Sequence, residues 1–468
     1  MNNFIKKLLQ FCLGPIFAAL ISIVMIPLIT HFLLPEALGK ASMLIIAQMP
    51  FAVANLGLDQ AYAREYHVEK DKQNLLLTAM TLPISLSIII FILFIINANS
   101  LSMILFEEDH YNLAIYLIGF SAITVCIERF ILQKIRMEEK ALEYSFFIFA
   151  SKISLALITT IMIIFFRTDF LAIIYATIIS KLIVQFILFY RYRRIFCFSQ
   201  FKLNKQLNKR LLLFGAPLVL STLLGAFFKS AANISLRLFS DFEQLGLFSA
   251  GNKITNMLMI VQTAFTIFWM PTAYRWHKEG RKMSDYKLVS DAMLVIMSFG
   301  FLLLLFLRPL IIILISDQFS EVKTFISFLS FYPIMYTLTF TTRLGVVFSR
   351  KTYLNIIVVS TSLTLNILLN FLLTPSLGAL GAAMSIGISY IIYFLFYTFL
   401  SFRNWSGFSI KKHLLVIFLM FSLAVVDVLL PDYSIYAKIS ITIIFLIIHG
   451  NTIKNVIERG IRFKSREG

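Results

Sequence analysis

At 468 residues, with 59% hydrophobic, 14% charged and a mean hydropathy of +0.85, the chain is too apolar for a water-soluble globule, in which about a quarter of residues are charged. A net charge of +18 would suggest nucleic acid in a soluble protein, but here the basic residues sit in loops between apolar runs, the signature of positive-inside membrane topology. Cys12, Cys126, Cys197 and six dispersed histidines form no Cys-x-x-Cys or His-x-x-x-His, which excludes a disulfide framework and a metal site of familiar spacing.

The apolar runs predict fourteen membrane helices near 9–33, 41–58, 75–97, 111–131, 145–166, 169–190, 211–236, 246–272, 288–315, 323–347, 353–373, 378–401, 412–430 and 433–450. About 20 apolar residues cross the hydrocarbon core as a helix, which satisfies its own backbone hydrogen bonds there. The first run is too long for a signal-peptide core and reads as an uncleaved first helix. Thirty-one Lys and Arg fall in the joins on one side, against six on the other (Lys40, Arg167, Arg237, Arg308, Lys323 and Lys438). That asymmetry predicts both termini in the cytoplasm.

The longest basic linker, Arg191 to Arg210, separates six spans from six, so the halves are expected to be parallel repeats. The outer loop after the first span reads Glu36-Ala-Leu-Gly39-Lys-Ala-Ser42. The loop after the seventh reads Glu243-Gln-Leu-Gly246-Leu-Phe-Ser249, identical at four of seven positions. The predicted organisation is all-α: a six-helix lobe at 1–200, a second at 201–405, and an appended helix pair with a basic tail at 406–468. Gly14-Pro15 and Pro27 in the first span, and Gly215-Ala-Pro217 with Gly225 in the seventh, predict bent helices in equivalent places.

Polar stripes mark where the spans are not simply lipid-facing. Lys229, Asn233 and Arg237 recur at i, i+4 and i+8, and Asn252, Asn256 and Thr263 share a face beside Lys253. Tyr332, Tyr336, Thr339 and Arg343 line the tenth span, and Ser362, Asn366 and Asn370 the eleventh. Gln48, Asn55 and Asp59 line the second, and Thr177, Lys181 and Gln185 the sixth; Lys152 stands in the fifth. Ser, Thr and Asn also stitch neighbouring spans together, which is the plain reading of Asn366 and Asn370. Lys152, Lys253 and Arg343 lie where a long side chain can snorkel to the interface. Still, the deep charges Lys152, Lys181, Lys229, Lys253 and Arg343 are all cationic, with Asp59 and Glu128 the main acids at comparable depth. A charge at the bilayer centre is costly by a few kcal/mol unless it faces a partner or a watery cavity. The surplus therefore predicts a cavity that accepts an anion. Asp59 and Arg64 are a candidate gating latch near the cytoplasmic mouth, with Glu128 a further candidate for gating or coupling.

The order of motifs resembles a known family. Gly14-Pro15 through Ile-Pro27-Leu-Ile-Thr, Leu34-Pro35-Glu36-Ala-Leu-Gly39, and Leu56-Gly57-Leu58-Asp59-Gln60-Ala61-Tyr62 are similar to the start of bacterial polysaccharide flippases. Gly215-Ala-Pro217, Phe248-Ser-Ala-Gly251-Asn252-Lys253, Pro271-Thr-Ala-Tyr274-Arg275-Trp276 and Pro375-Ser-Leu-Gly378-Ala-Leu-Gly381 continue the likeness. The chain thus resembles O-antigen and related oligosaccharide-lipid flippases (the Wzx type), within the wider group that includes multidrug and toxin extrusion (MATE) transporters.

The resemblance implies a MATE-like bundle in the bacterial inner membrane, without catalytic residues or cofactor. It would carry an undecaprenyl-pyrophosphate-linked oligosaccharide, an O-antigen or similar repeat unit, to the periplasmic leaflet by alternating access. Transport is either uniport or coupled to a proton or sodium ion, and other polysaccharide assembly proteins are candidate partners. Two other readings are an ion-coupled multidrug exporter of the same fold and, from a different class, a membrane polysaccharide polymerase or ligase. The cationic surplus disfavours the first, and the short outer loops, nearly free of cations, the second. Tyr332 and Tyr336 could stack on sugar faces.

Overall fold

A computed structural model describes residues 2–196, 205–349, 351 and 353–467. Cys197 and Lys202 of the basic linker lie outside the described residues, as do Arg350 and the side chains of Lys6, Lys7, Cys12, Pro217 and the basic tail beyond 458. The described residues are helical, with no strand among them. Eleven stretches are long and apolar enough to cross a bilayer. Outward-facing apolar side chains such as Val24, Phe165 and Ile447, each more than 70% exposed, are what a lipid-facing surface requires.

By contacts the chain forms two units, Met1–Arg237 with Asp241–Ser249, and Leu238–Ser240 with Ala250–Gly468. In the first, α1 (Asn2–Phe32) runs unbroken through Pro15 and Pro27. A proline removes one donor without dissolving the turns on either side, so the helix continues through both. Gly14 lets α1 press on α9 (Ala141–Ile161), because a Cβ there would lie 2.5 Å from the Ser145 carbonyl oxygen.

The second span is instead broken into α2 (Pro35–Ser42), α3 (Leu44–Ala47) and α4 (Met49–Ala54), before α5 (Leu58–Glu65). Leu56 (φ 49°) and Gly57 (φ 63°) stand in the left-handed region, which stops α4 and re-aims α5. Next come α6 (Lys72–Ile96), capped by the Asp71 carboxylate on the Asn74 N–H at 2.9 Å, α7 (Ala98–Phe106) and α8 (Asn112–Met137). After α9 a π-helical turn and an Arg167–Asp169 bridge (2.6 Å) make the tight join to α10 (Phe170–Arg191). A buried core of Tyr62, Met80, Phe130, Leu188 and Leu211 binds α5, α6, α8 and α10 to α11 (Lys205–Phe239), which also runs without a break.

α12 (Phe242–Thr255) begins in the first unit and ends in the second. The second unit continues with α13 (Met259–Lys278), α14 (Met283–Phe306) and α15 (Arg308–Leu314). The expected single span 323–347 is three short helices, α16 (Val322–Leu329), α17 (Phe331–Thr342) and α18 (Leu344–Phe348). Pro333 has no N–H for the ladder, and the break falls just before it, at Ser330.

α19 (Tyr353–Asn404) holds the eleventh and twelfth spans as two arms that meet at Gly378 (φ 53°, ψ −129°). As one rod, 52 residues would be about 78 Å long, more than twice the hydrocarbon thickness. α20 (Lys411–Leu429) and α21 (Ser434–Glu467) form the appended pair. They are tied by the fully buried Asp427 carboxylate, which takes Arg308 and the Ser434 hydroxyl and lies 3.4 Å from the Lys438 ammonium.

Candidate functional site

Three of the anticipated charges converge in the interior of the first unit. α8 carries Glu128, α9 Lys152 and α10 Lys181, with Gln185 one turn further along the Lys181 face. The Gln185 amide donates to Glu128 Oε2 at 2.7 Å, which fixes the carboxylate on the α8 side. Lys181 lies within electrostatic reach of both Glu128 and Lys152. Lys152 is exposed, so the cluster borders open space. Two ammonium groups against one carboxylate leave this space with a surplus of positive charge.

Asp59 and Arg64 do not pair. Five residues on a helix turn through about 500°, which leaves the two side chains about 140° apart. Asp59, 7% exposed, accepts instead from Arg129 Nε at 2.8 Å, across to α8. Arg64 lies over the Phe214 ring, 4.4 Å from its centroid. Beside it Arg210 bridges Glu65 (2.9 Å) and Glu69 (3.0 Å). Gly215 approaches Leu56 so closely that a Cβ would lie 2.5 Å from its carbonyl oxygen. The Gly215-Ala-Pro217 and Leu56-Gly57-Leu58-Asp59 motifs thus touch each other.

A second clasp lies at the other end of α11. A Cβ on Gly39 would meet the Phe242 carbonyl oxygen at 1.9 Å, and one on Gly246 the Pro35 carbonyl oxygen at 1.7 Å. The two copies of the repeated outer-loop motif are therefore in backbone contact. Lys40 bridges Glu36 (3.2 Å) and Glu108 (3.1 Å), and Arg237 pairs with Glu107 at 2.7 Å. Both cations lie over the Phe242 ring. The Lys40 hydrogen bond holds the Glu108 carboxyl below the usual carboxylate range. On the α11 face that carries Arg237, Asn233 is buried. Lys229 is exposed, with no ion-pair partner among the described residues and with open space where a Cβ on Gly225 would point.

In the second unit α17 and the second arm of α19 meet through tyrosines, with Arg343 beside them at the end of α17. Tyr332 and Tyr336 meet Tyr390 and Tyr393 from the second arm of α19 at centroid separations of 4.7 and 6.3 Å, and Tyr397 continues the ladder. The Arg343 guanidinium lies 3.8 Å over Phe340 and within electrostatic reach of the Tyr397 phenol, which donates to Asn355 Oδ1, while the buried Arg343 Nε has no hydrogen-bond partner. The second-arm tyrosines escaped the sequence reading, although their i, i+3, i+7 spacing was visible. Asn366, Asn370, Thr374 and Ser389 form a closed, fully buried network that staples the two arms of α19 together. Asn252 and Lys253 are half-buried at the end of α12. Asn256 is exposed and opens a 3-10 turn, so the anticipated stripe with Thr263 is not one continuous face. Asp291 and Asp427 are further buried acids that the stripes did not reveal.

The chain matches the model of the polysaccharide biosynthesis protein family over residues 4–277, more than half its length. No curated protein matches it significantly. Among solved structures it is similar to the lipid II flippase MurJ in an inward closed conformation (TM-score 0.69, 15% identity, 95% of this chain and 100% of that one). It is also similar to a multidrug resistance MATE family transporter of the MOP superfamily in an inward-facing conformation (TM-score 0.62, 15% identity, 84% and 94%). A third likeness is to a MOP superfamily transporter from Pyrococcus furiosus, described as having a binding pocket of reverse polarity (TM-score 0.52, 15% identity, 85% and 95%). At these identities the structural likenesses establish a shared fold, that of the multi-pass MurJ and MATE transporters. The family match goes further: this chain belongs to the polysaccharide biosynthesis protein family.

Proposed function

We propose that the protein is a flippase of the bacterial inner membrane, with both termini cytoplasmic. It carries an undecaprenyl-pyrophosphate-linked oligosaccharide, an O-antigen or similar repeat unit, from the cytoplasmic to the periplasmic leaflet. The observation that carries the reading is the cationic cluster of the first unit, where Lys181 lies within electrostatic reach of Lys152 and of one acid, Glu128. A pyrophosphate about 4 Å from an ammonium gains about 4 kcal/mol per unit charge pair at an effective dielectric of 20. That offsets part of the cost of taking the phosphates out of water, while the lipid tail stays in the bilayer. Lys229 in the first unit, and Lys253 and Arg343 in the second, supply further positive charge, with Asn233, Asn252 and Asn256 as hydrogen-bonding groups. The half-exposed Tyr332 and Tyr336 offer faces for sugars.

The clasps at the two ends of α11 would open in turn as the site is exposed to either side, with Asp59, Arg64 and Glu128 as gating or coupling residues. Lobes at 1–200 and 201–405 related by duplication, with 406–468 appended, belong to the same proposal; contact between the two outer-loop motifs supports it. MurJ, named as a lipid II flippase, supports a lipid-linked cargo. An ion-coupled multidrug exporter shares the fold, but the surplus of cations favours an anionic substrate.

The test is complementation of a strain lacking its own flippase, alongside transfer of a fluorescent lipid-linked oligosaccharide across proteoliposomes. Wild type should restore surface polysaccharide, and the Lys152→Gln, Lys181→Gln double variant should not, at equal membrane levels. Normal transfer by that variant would remove the basis of the proposal.

A further inference from the structure

The appended helix pair docks on α14 through two buried histidines. His413 of α20 places Nε2 at 2.9 Å from Ser290 Oγ, and His449 of α21 places Nε2 at 3.0 Å from Ser298 Oγ. Ser290 and Ser298, eight residues apart, lie on one face of α14. All four side chains are fully buried.

The hydrogen-bond chain around Ser290 fixes the direction of every donor. Thr341 gives its one hydroxyl proton to the Leu338 carbonyl at 2.7 Å. Its oxygen, 2.7 Å from Ser290 Oγ, must then accept the Ser290 proton. Ser290 Oγ, having spent its own proton, accepts from His413, so Nε2 carries the hydrogen. The neutral ring therefore turns a bare Nδ1 toward Asp291 Oδ1, 3.8 Å away. Both atoms are buried and without a hydrogen-bond partner. Two lone pairs face each other across a gap that lacks only a proton.

We infer that Asp291 and His413 form a proton-binding site that joins the appended helix pair to α14. A proton from water enters onto Nδ1, and the pair becomes imidazolium and carboxylate, neutral overall, with one N–H···O bond across the closed gap. Proton binding and the docking of α20 are then thermodynamically linked. The charged neighbours are Lys287 on α14, Lys412 on α20 and His449 on α21. Lys412 is held by the Thr452 hydroxyl of α21 at 2.7 Å. α17 contributes only the neutral Thr341, and the second arm of α19 the Phe394 ring stacked on His413. His449 differs: Ser298 gives its proton to the Val295 carbonyl, which again puts the hydrogen on Nε2, but no acid faces the bare Nδ1.

The site is tested in the full-length protein labelled with 15N-histidine in detergent micelles, with His413→Gln identifying the signal. At the alkaline end Nε2 should be protonated and Nδ1 bare. Nδ1 should protonate as pH falls, and Asp291→Asn should weaken that proton affinity at least about tenfold, a midpoint lower by one pH unit or more. Nδ1 already protonated with Nε2 bare at the alkaline end would overturn the assignment, as would an unchanged midpoint in Asp291→Asn. Should the variant not be recovered, the wild-type tautomer decides alone.

Discussion

The polar interiors of the two units differ in kind. In the first, Glu128, Lys152 and Lys181 are charged, unequal in sign and partly accessible. In the second, the Asn366–Asn370–Thr374 network and the second-arm tyrosines are neutral and buried. A neutral network that satisfies itself is structural glue, because nothing in it gains from a visitor. A surplus of charge held within membrane-spanning helices does gain from one. The difference separates polar residues that assemble the bundle from polar residues that await a ligand, a distinction that composition alone does not make.

Neutralising each interior is the most severe way to break that comparison. Lys152→Gln with Lys181→Gln should lower flipping by ~10- to 100-fold, the loss expected for a few kcal/mol of attraction, with the melting temperature little changed. Arg343→Gln, which removes the cation beside the second unit's tyrosines, should lower transfer less than the double variant does. Equal losses would mean that the two units contribute alike to recognising the anion.

Overpacking comes next. Gly39→Val sets a side chain against backbone and should destabilise the detergent-solubilised protein by ~2 kcal/mol or more. In the second unit Gly251→Val meets only the side chains of Leu329, Phe325 and Val322, which can give way, and its melting temperature should fall less. Gly225→Val, with open space around it, should leave thermal stability near wild type.

Asn370→Leu is expected to cost ~1–2 kcal/mol of stability by stranding its partners, while transfer by the folded fraction stays within a few-fold of wild type. Severe loss of transfer in stable protein would move that network from glue to substrate path.

The smallest effect is electrostatic. Glu108 has its carboxyl pKa depressed by Lys40, so its contribution is present at neutral pH and fades as pH falls through the folded-state value, below 4.5. Glu108→Gln should lower stability at pH 7 by at most ~1 kcal/mol, and the two melting curves should converge on acidification.

The apolar runs were legible because a membrane helix announces itself by length and composition, and most were placed within a few residues. Breaks were less so. Pro15 and Pro27 look disruptive yet leave α1 whole, whereas the end of α4 depends on left-handed Leu56, a conformation that a leucine does not signal. Local spacing showed that Lys181 and Gln185 share a face, but it could not show that Glu128 or Lys152 would come to meet them. Asp59 was matched to the nearest cation in sequence, while its true partner, Arg129, lies seventy residues away on α8. Spacing along one helix predicts a face; which faces meet is decided by packing between distant segments. Asp291 and His413 were invisible for the same reason, since neither belongs to a stripe.

The mutual approach of Gly39 and Gly246 has an evolutionary consequence. The segments that touch there agree at four of seven positions, so under the proposed duplication the contact has the form of an isologous interface within a single polypeptide. In a half-length ancestor that paired with itself, every substitution at this glycine would have appeared on both sides of the crossing at once. Under the proposed duplication, fusion would have released each copy from its twin, leaving Lys40 and Leu247, at matched positions beside the two glycines, free to differ.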